Sequence, residues 1–145
     1  MRLPVPLRFW YLALAPACLT GPHENDVPDP GRYSLVITFT LDGAPRIIEG
    51  ELLITQSSTE GLQYTLLVAG VTAGSGLAKW VNPDGFRIIG TTEGLTLITH
   101  LKKLGNSHGC RGRVELTSSG GTTRLVALCT YGRLGPLPGS APPRP

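Results

Sequence analysis

The sequence predicts an all-β fold: a single antiparallel up-and-down meander of about eight short strands closing into a small barrel, with a two-sheet β-sandwich as the alternative. Three observations carry this. Apolar and polar residues alternate along runs such as RYSLVITFTL and RIIEGELLIT, the period of a strand with one buried face. Turn-forming residues separate the runs, within a total of 19 Gly and 13 Pro. No stretch after residue 18 carries a helical period.

The first residues stand apart from that pattern. Arg2 and Arg8 give a positive start, Phe9 to Ala15 form a short apolar run, and Ala15-Pro16-Ala17 supply small residues. That order predicts a signal peptide over 1–17, too short in its apolar part to span a bilayer. Cys18 follows directly. A small-residue triplet ending in cysteine resembles the lipobox of bacterial lipoproteins, and the resemblance implies lipid attachment at Cys18. A plain secretory signal cut at the same place is the alternative. Residues 18–30, with three acids and three prolines in LTGPHENDVPDP, read as a lipidated, acidic tether. His23 lies in it and is expected to be solvated.

Export reshapes the charge balance. Of 13 Lys and Arg, Arg2 and Arg8 belong to the leader, so 11 remain against 10 Asp and Glu. The mature chain is close to neutral, and nucleic acid is not an expected partner.

The domain is expected over 31–134. Its opening hairpin runs from Arg32 to Thr55 around Asp42-Gly43-Ala44-Pro45. Pairing Leu41 with Arg46 sets Phe39 against Ile48, Ile37 against Gly50, Leu35 against Leu52 and Tyr33 against Ile54, all on one face. Strand Leu62 to Ala69 continues that face if Ile54 meets Leu62. Gly70 to Gly76 reads as a loose connection. Leu77 to Asn82 and Phe86 to Thr92 follow as a hairpin around Pro83-Asp84-Gly85, with Asn82 facing Phe86 and Trp80 facing Ile88. Glu93-Gly94 is a two-residue turn that sets Thr92 against Leu95 and Phe86 against Leu101. Lys102 to Gly109 reads as a polar loop. The last hairpin, Cys110 to Thr117 and Thr122 to Tyr131, surrounds Ser118 to Gly121. From Gly135 the Pro-rich 135–145 is expected to be a disordered tail.

Three cysteines occur in the chain. Pairing Thr117 with Thr122 brings Cys110 directly opposite Cys129, close enough for a disulfide. Cys18 is then the odd one out, as an acylated cysteine would be. Two free buried thiols are the competing reading.

Little in the chain points to catalysis. It has no nucleophile elbow, phosphate loop or zinc-protease helix. Glu49 and Glu51 share a strand face, but the outer one, and read as a solvated rim. His100 falls on the same outer side. His108 and Cys110 are two soft ligands at most, which define no metal site. No cofactor is implied. Lys102, Lys103, His108, Arg111 and Arg113 gather near one end and read as a solvated basic rim, or as a contact for an anionic lipid or polysaccharide.

Five aromatics, Tyr33, Phe39, Tyr64, Trp80 and Phe86, face inward in this register. In a ligand-binding barrel they would line a cup; in a filled barrel they are the plug. Gly31-Arg32-Tyr33 opens the first strand in the manner of the Gly-x-Trp opening of lipocalins, with tyrosine for tryptophan. Together with a lipobox-like cysteine, an acidic tether and a β-meander, the layout resembles small lipocalin-like bacterial lipoproteins. That resemblance implies a lipid-anchored envelope protein, periplasmic or at the outer membrane, binding a small apolar molecule in the barrel mouth. The alternative is a filled structural or interaction module facing another envelope component. A cavity lined by Tyr33, Tyr64 and Trp80 would favour the first. A solid interior beside exposed apolar residues around Val36, Leu67, Val126 and Leu128 would favour the second.

Overall fold

The structure is a computed structural model that describes residues 21–104 and 106–139. The leader over 1–17, Cys18 and the end of the tail, 140–145, lie outside the described residues. Nine strands follow a short 3-10 turn at Glu24–Asp26: β1 (Gly31–Leu41), β2 (Ala44–Ser58), β3 (Gly61–Val68), β4 (Val71–Ala78), β5 (Trp80–Val81), β6 (Gly85–Thr92), β7 (Leu95–Leu104), β8 (Ser107–Ser118) and β9 (Gly121–Gly135). They form one antiparallel sheet in the order β4-β3-β2-β1-β9-β8-β7-β6-β5. The up-and-down meander holds: strands adjacent in the chain are adjacent in the sheet except β4 and β5, and β9 returns to pair with β1.

Barrel closure does not hold. The sheet ends at β4 and β5, which are consecutive in the chain and separated by Lys79 alone. The expected loose connection Gly70 to Gly76 is mostly strand β4, paired with β3 from Val68↔Val71 to Leu62↔Ala78. The expected strand Leu77 to Asn82 is split, and only Trp80 and Val81 pair with β6. Composition explains why β4 was not visible: Val71-Thr72-Ala73-Gly74-Ser75-Gly76 has no apolar alternation and two glycines, so its pairing depends on β3. A register shift opposite Leu66 and Leu67 bends it further.

Where β4 passes β6, side chains replace the ladder. Gly74 lies so close to the Ile89 carbonyl that a β-carbon there would overlap it. Beside this contact the Tyr64 hydroxyl donates to the Ile89 carbonyl at 2.9 Å and accepts from the Ile89 amide at 3.1 Å. One phenol thus holds both backbone groups that closure would have used.

Strand parity is as read from the sequence, but several registers differ. In the first hairpin Leu41 pairs with Ala44 and Phe39 with Arg46, two residues from the expected pairing. The loop is only Asp42-Gly43, with φ of 52° and 76°, the doubly left-handed turn whose twist suits a hairpin. Ile54 meets Tyr64 rather than Leu62, with a bulge between Ile54 and Gln56. Val81 pairs with Gly85 and Trp80 with Phe86, so the loop is Asn82 to Asp84, closed by the Asp84 amide donating to the Val81 carbonyl at 2.7 Å. The Asn82-Pro83 peptide is cis. Leu104 pairs with Ser107, so the expected polar loop is two long strands joined tightly. The Glu93-Gly94 turn and the Thr117↔Thr122 pairing are as expected.

The inward face of this sheet is buried. Tyr33, Leu35, Ile37, Leu52, Ile54, Leu62, Leu66, Phe86, Ile88, Leu97, Leu101 and Val114 are all below 2% exposed. Val27 joins that cluster. Of segment 18–30, the described part is therefore docked on one end of the sheet: Pro28 is buried, the Tyr33 hydroxyl donates to the Asp29 carbonyl at 2.6 Å, and Lys103 meets the Asp29 carboxylate at 3.2 Å.

Candidate binding surfaces

The five inward aromatics pack into or against the core, but they do not form one group. Tyr33 lies between Tyr131 and His108, with ring centroids 5.7 and 5.9 Å away. Its hydroxyl is spent on Asp29, and that of Tyr131 donates to the Lys102 carbonyl at 2.8 Å. Burial raises the pKa of both phenols above the ordinary tyrosine value, so they stay neutral donors. The Tyr64 hydroxyl is spent on Ile89. Trp80 packs edge-on against Phe86 at 5.2 Å, and its buried indole N–H has no partner among the described residues. A ligand-lined cup needs polar tips aimed into open space. Here the tyrosine tips are tied to backbone, and the space between the rings is filled with aliphatic side chains.

Phe39, also buried in the core, is the one beside an open cleft. It lies at the opposite end of the sheet from Tyr33 and lines a cleft of about 270 Å³ with Leu41, Arg46, Ile48, Glu93, Leu95 and Leu116. The tight turns Asp42-Gly43 and Glu93-Gly94 end β1 and β6 there, leaving the apolar layer half covered. A second cleft, of about 340 Å³, lies at the docked end between Val27, Asp29 and Ser57 to Thr59.

The covalent link is present: Cys110 and Cys129 form a disulfide across β8 and β9, with Cα atoms 5.5 Å apart. Proteins keep such bonds in oxidising compartments, so the link hints at export.

The remaining polar candidates are scattered. Glu51 pairs with Arg32 at 2.7 Å on the outer face, and Glu49 stands exposed beside it. The His23 amide donates to the Asp26 carboxylate at 2.9 Å, opening the 3-10 turn. His108 is part of the aromatic stack, 5.1 Å from Tyr131, and not a solvated rim residue. Among the described residues no three of His, Cys, Asp or Glu cluster with metal-ligand spacing. The rim lysines are engaged: Lys102 donates to the Pro83 carbonyl at 3.4 Å and Lys103 pairs with Asp29.

One polar grouping was not visible in the sequence. Arg87 on β6, His100 on β7 and Arg111 on β8 lie side by side across the outer face. Arg113 is two residues along β8. Arg111 holds Asp84 at 2.9 Å, and Arg113 holds Glu115 at 3.2 Å. The His100 pKa is lowered, first by burial and then by Arg87, Arg113 and Arg111, with Asp84 opposing them. Next to Arg113 on β9 stands Val126, 89% exposed, with Leu128 at 75%. Cross-strand adjacency is the signal that finds this group; it requires the registers of two hairpins at once, and that of a third to add Val126. Comparison of the chain with family models, with curated proteins and with solved structures found no match.

Proposed function

We propose that this chain is an exported module of a cell envelope that is filled at its centre and works through its outer surface. The supporting observation is the solid interior: twelve large side chains below 2% exposed, with the hydroxyls of Tyr33 and Tyr64 already bonded to backbone. Beside it, Val126 and Leu128 stand in water on the outer face, where a protein without a partner gains nothing from them. The disulfide agrees with an oxidising compartment. A signal peptide over 1–17 and an acyl chain on Cys18 would account for the odd third cysteine and tie the module to a membrane. The module carries out no catalysis and needs no cofactor.

A second reading keeps the lipocalin-like role, with a small apolar ligand at the mouth. It is favoured by the cleft around Phe39, Leu95 and Leu116, which is close to the lower end of known ligand-site volumes, about 300 Å³. Native mass spectrometry of the protein purified from its own host separates the two. The proposal expects a chain starting at an acylated Cys18, with a disulfide and no further mass. A retained small molecule, lost when Leu95→Glu blocks the cleft, would replace it with the second reading.

A further inference from the structure

We propose that the outer face of β6, β7, β8 and β9 docks on an anionic phospholipid bilayer, with Arg87, His100, Arg111 and Arg113 against the phosphates and Val126 and Leu128 in the acyl boundary. This rests on the reading that the module works through its outside, and it names the partner.

Arg87↔His100 and His100↔Arg111 are direct cross-strand pairs, so their side chains rise from one face about 5 Å apart. Arg113 rises beside Val126, and Arg124 stands one outward position further along β9. Four arginines therefore share the patch with two carboxylates, Asp84, paired with Arg111, and Glu115, paired with both Arg113 and Arg124. Arg87 makes no ion pair among the described residues. Repulsion among these cations is tolerated only by screening and by their two acids, and a phosphate would relieve it through the forked guanidinium geometry.

The apolar neighbours narrow the choice of anion. Beyond Val126 and Leu128, the outward Thr38 lies between Leu128 and Ile47, and Ile47 is 65% exposed. A run of exposed aliphatic side chains bordering arginines matches the boundary between acyl chains and headgroups. An anionic polysaccharide would use the arginines but leave Val126, Leu128 and Ile47 in water. Ile98, outward between Ile89 and Arg113, is only 3% exposed, so the patch sits on a firm base.

The test is flotation of the full chain carrying Cys18→Ser, so that no acyl anchor contributes, with vesicles of phosphatidylcholine alone or containing phosphatidylglycerol. Every variant shares that background, which cancels any effect of the leader. We expect preference for the anionic vesicles that weakens as salt rises. Arg87→Gln, Arg111→Gln and Arg113→Gln together should loosen anionic binding about a hundredfold, at roughly fivefold per arginine. Val126→Ser with Leu128→Ser should weaken binding while leaving its salt dependence unchanged. Equal binding to both vesicle types, or indifference to the arginine variants, overturns the proposal. So does binding to an anionic polysaccharide without binding to vesicles, or loss of self-association, but not of vesicle binding, in the Val126/Leu128 variant. These side chains are exposed, and an unchanged unfolding midpoint verifies the fold. No retained ligand together with no vesicle binding removes only this partner, whereas a small ligand retained in the Phe39 cleft removes the proposed function itself.

Discussion

Two junctions in this sheet do the same job by different means. Where β1 meets β9, a backbone ladder runs from Thr38↔Leu128 to Arg32↔Gly135, joining the ends of the domain. Where β4 passes β6, no ladder forms, and Tyr64 with the bare backbone of Gly74 and Gly90 fills the gap. The first junction is repetitive apart from a register shift between Arg32 and Tyr33: the same backbone bonds recur at every second residue, so side-chain identity matters mainly for which face is buried. The second is particular, and depends on one hydroxyl and on glycines. Regular pairing tolerates change, whereas a substitute for it does not. The same trade commits the Tyr64 hydroxyl to Ile89.

The largest effect is expected from the shared core. Leu35→Ala, under the intact ladder, should cost about 2–5 kcal/mol in denaturant unfolding, because the residue is 1% exposed and leaves a cavity. Next comes the disulfide. Cys110→Ala with Cys129→Ala opens a loop of sequence separation 19 and should cost about 3 kcal/mol; the same measurement reads it.

Two glycines then compare the junctions directly. Gly74→Ala pushes a methyl into the Ile89 carbonyl and should cost about 1–3 kcal/mol, whereas Gly132→Ala on β9 meets nothing within 4 Å and should be neutral or slightly stabilising. Equal costs would mean that β4 and β6 are not held as described. Tyr64→Phe leaves the Ile89 amide and carbonyl unpaired and should cost about 1–3 kcal/mol, more than Thr117→Val on the exposed last hairpin.

The smallest effect is pH-dependent. His100 has a lowered pKa from burial and from Arg87, Arg113 and Arg111, against Asp84. The unfolded chain then binds its proton first, so stability should fall as pH drops through 6.5 toward the folded value, and level off below it. His100→Gln should remove that slope in unfolding curves taken across the window.

Much of the fold is legible because alternation survives errors of register. Reading Asp42-Gly43-Ala44-Pro45 as the turn misplaces every pair in the first hairpin by two residues, yet Tyr33, Leu35, Ile37 and Phe39 still face inward. Strand β4 is illegible because Gly74, Ser75 and Gly76 carry no face of their own. Closure fails for the same reason, since such a segment has little to hold it flat against β6. The inward aromatics are legible as a group, but their hydrogen bonds are not. The Tyr64 hydroxyl meets Ile89, 25 residues away, through a junction that no local pattern announces. On the outer face, the Glu93-Gly94 turn alone puts Arg87 beside His100. Arg111 joins only because Leu104 and Ser107 turn tightly, within a stretch that reads as a loop.

Native-state hydrogen exchange on the wild type and on Tyr64→Phe tests the contrast most directly. We expect the Leu35 and Ile37 amides to be slow in both proteins, and the Ile89 amide to be slow only while the phenol caps it. An Ile89 amide as protected as those of β1, and unmoved by loss of the hydroxyl, would mean that an ordinary ladder closes the sheet after all.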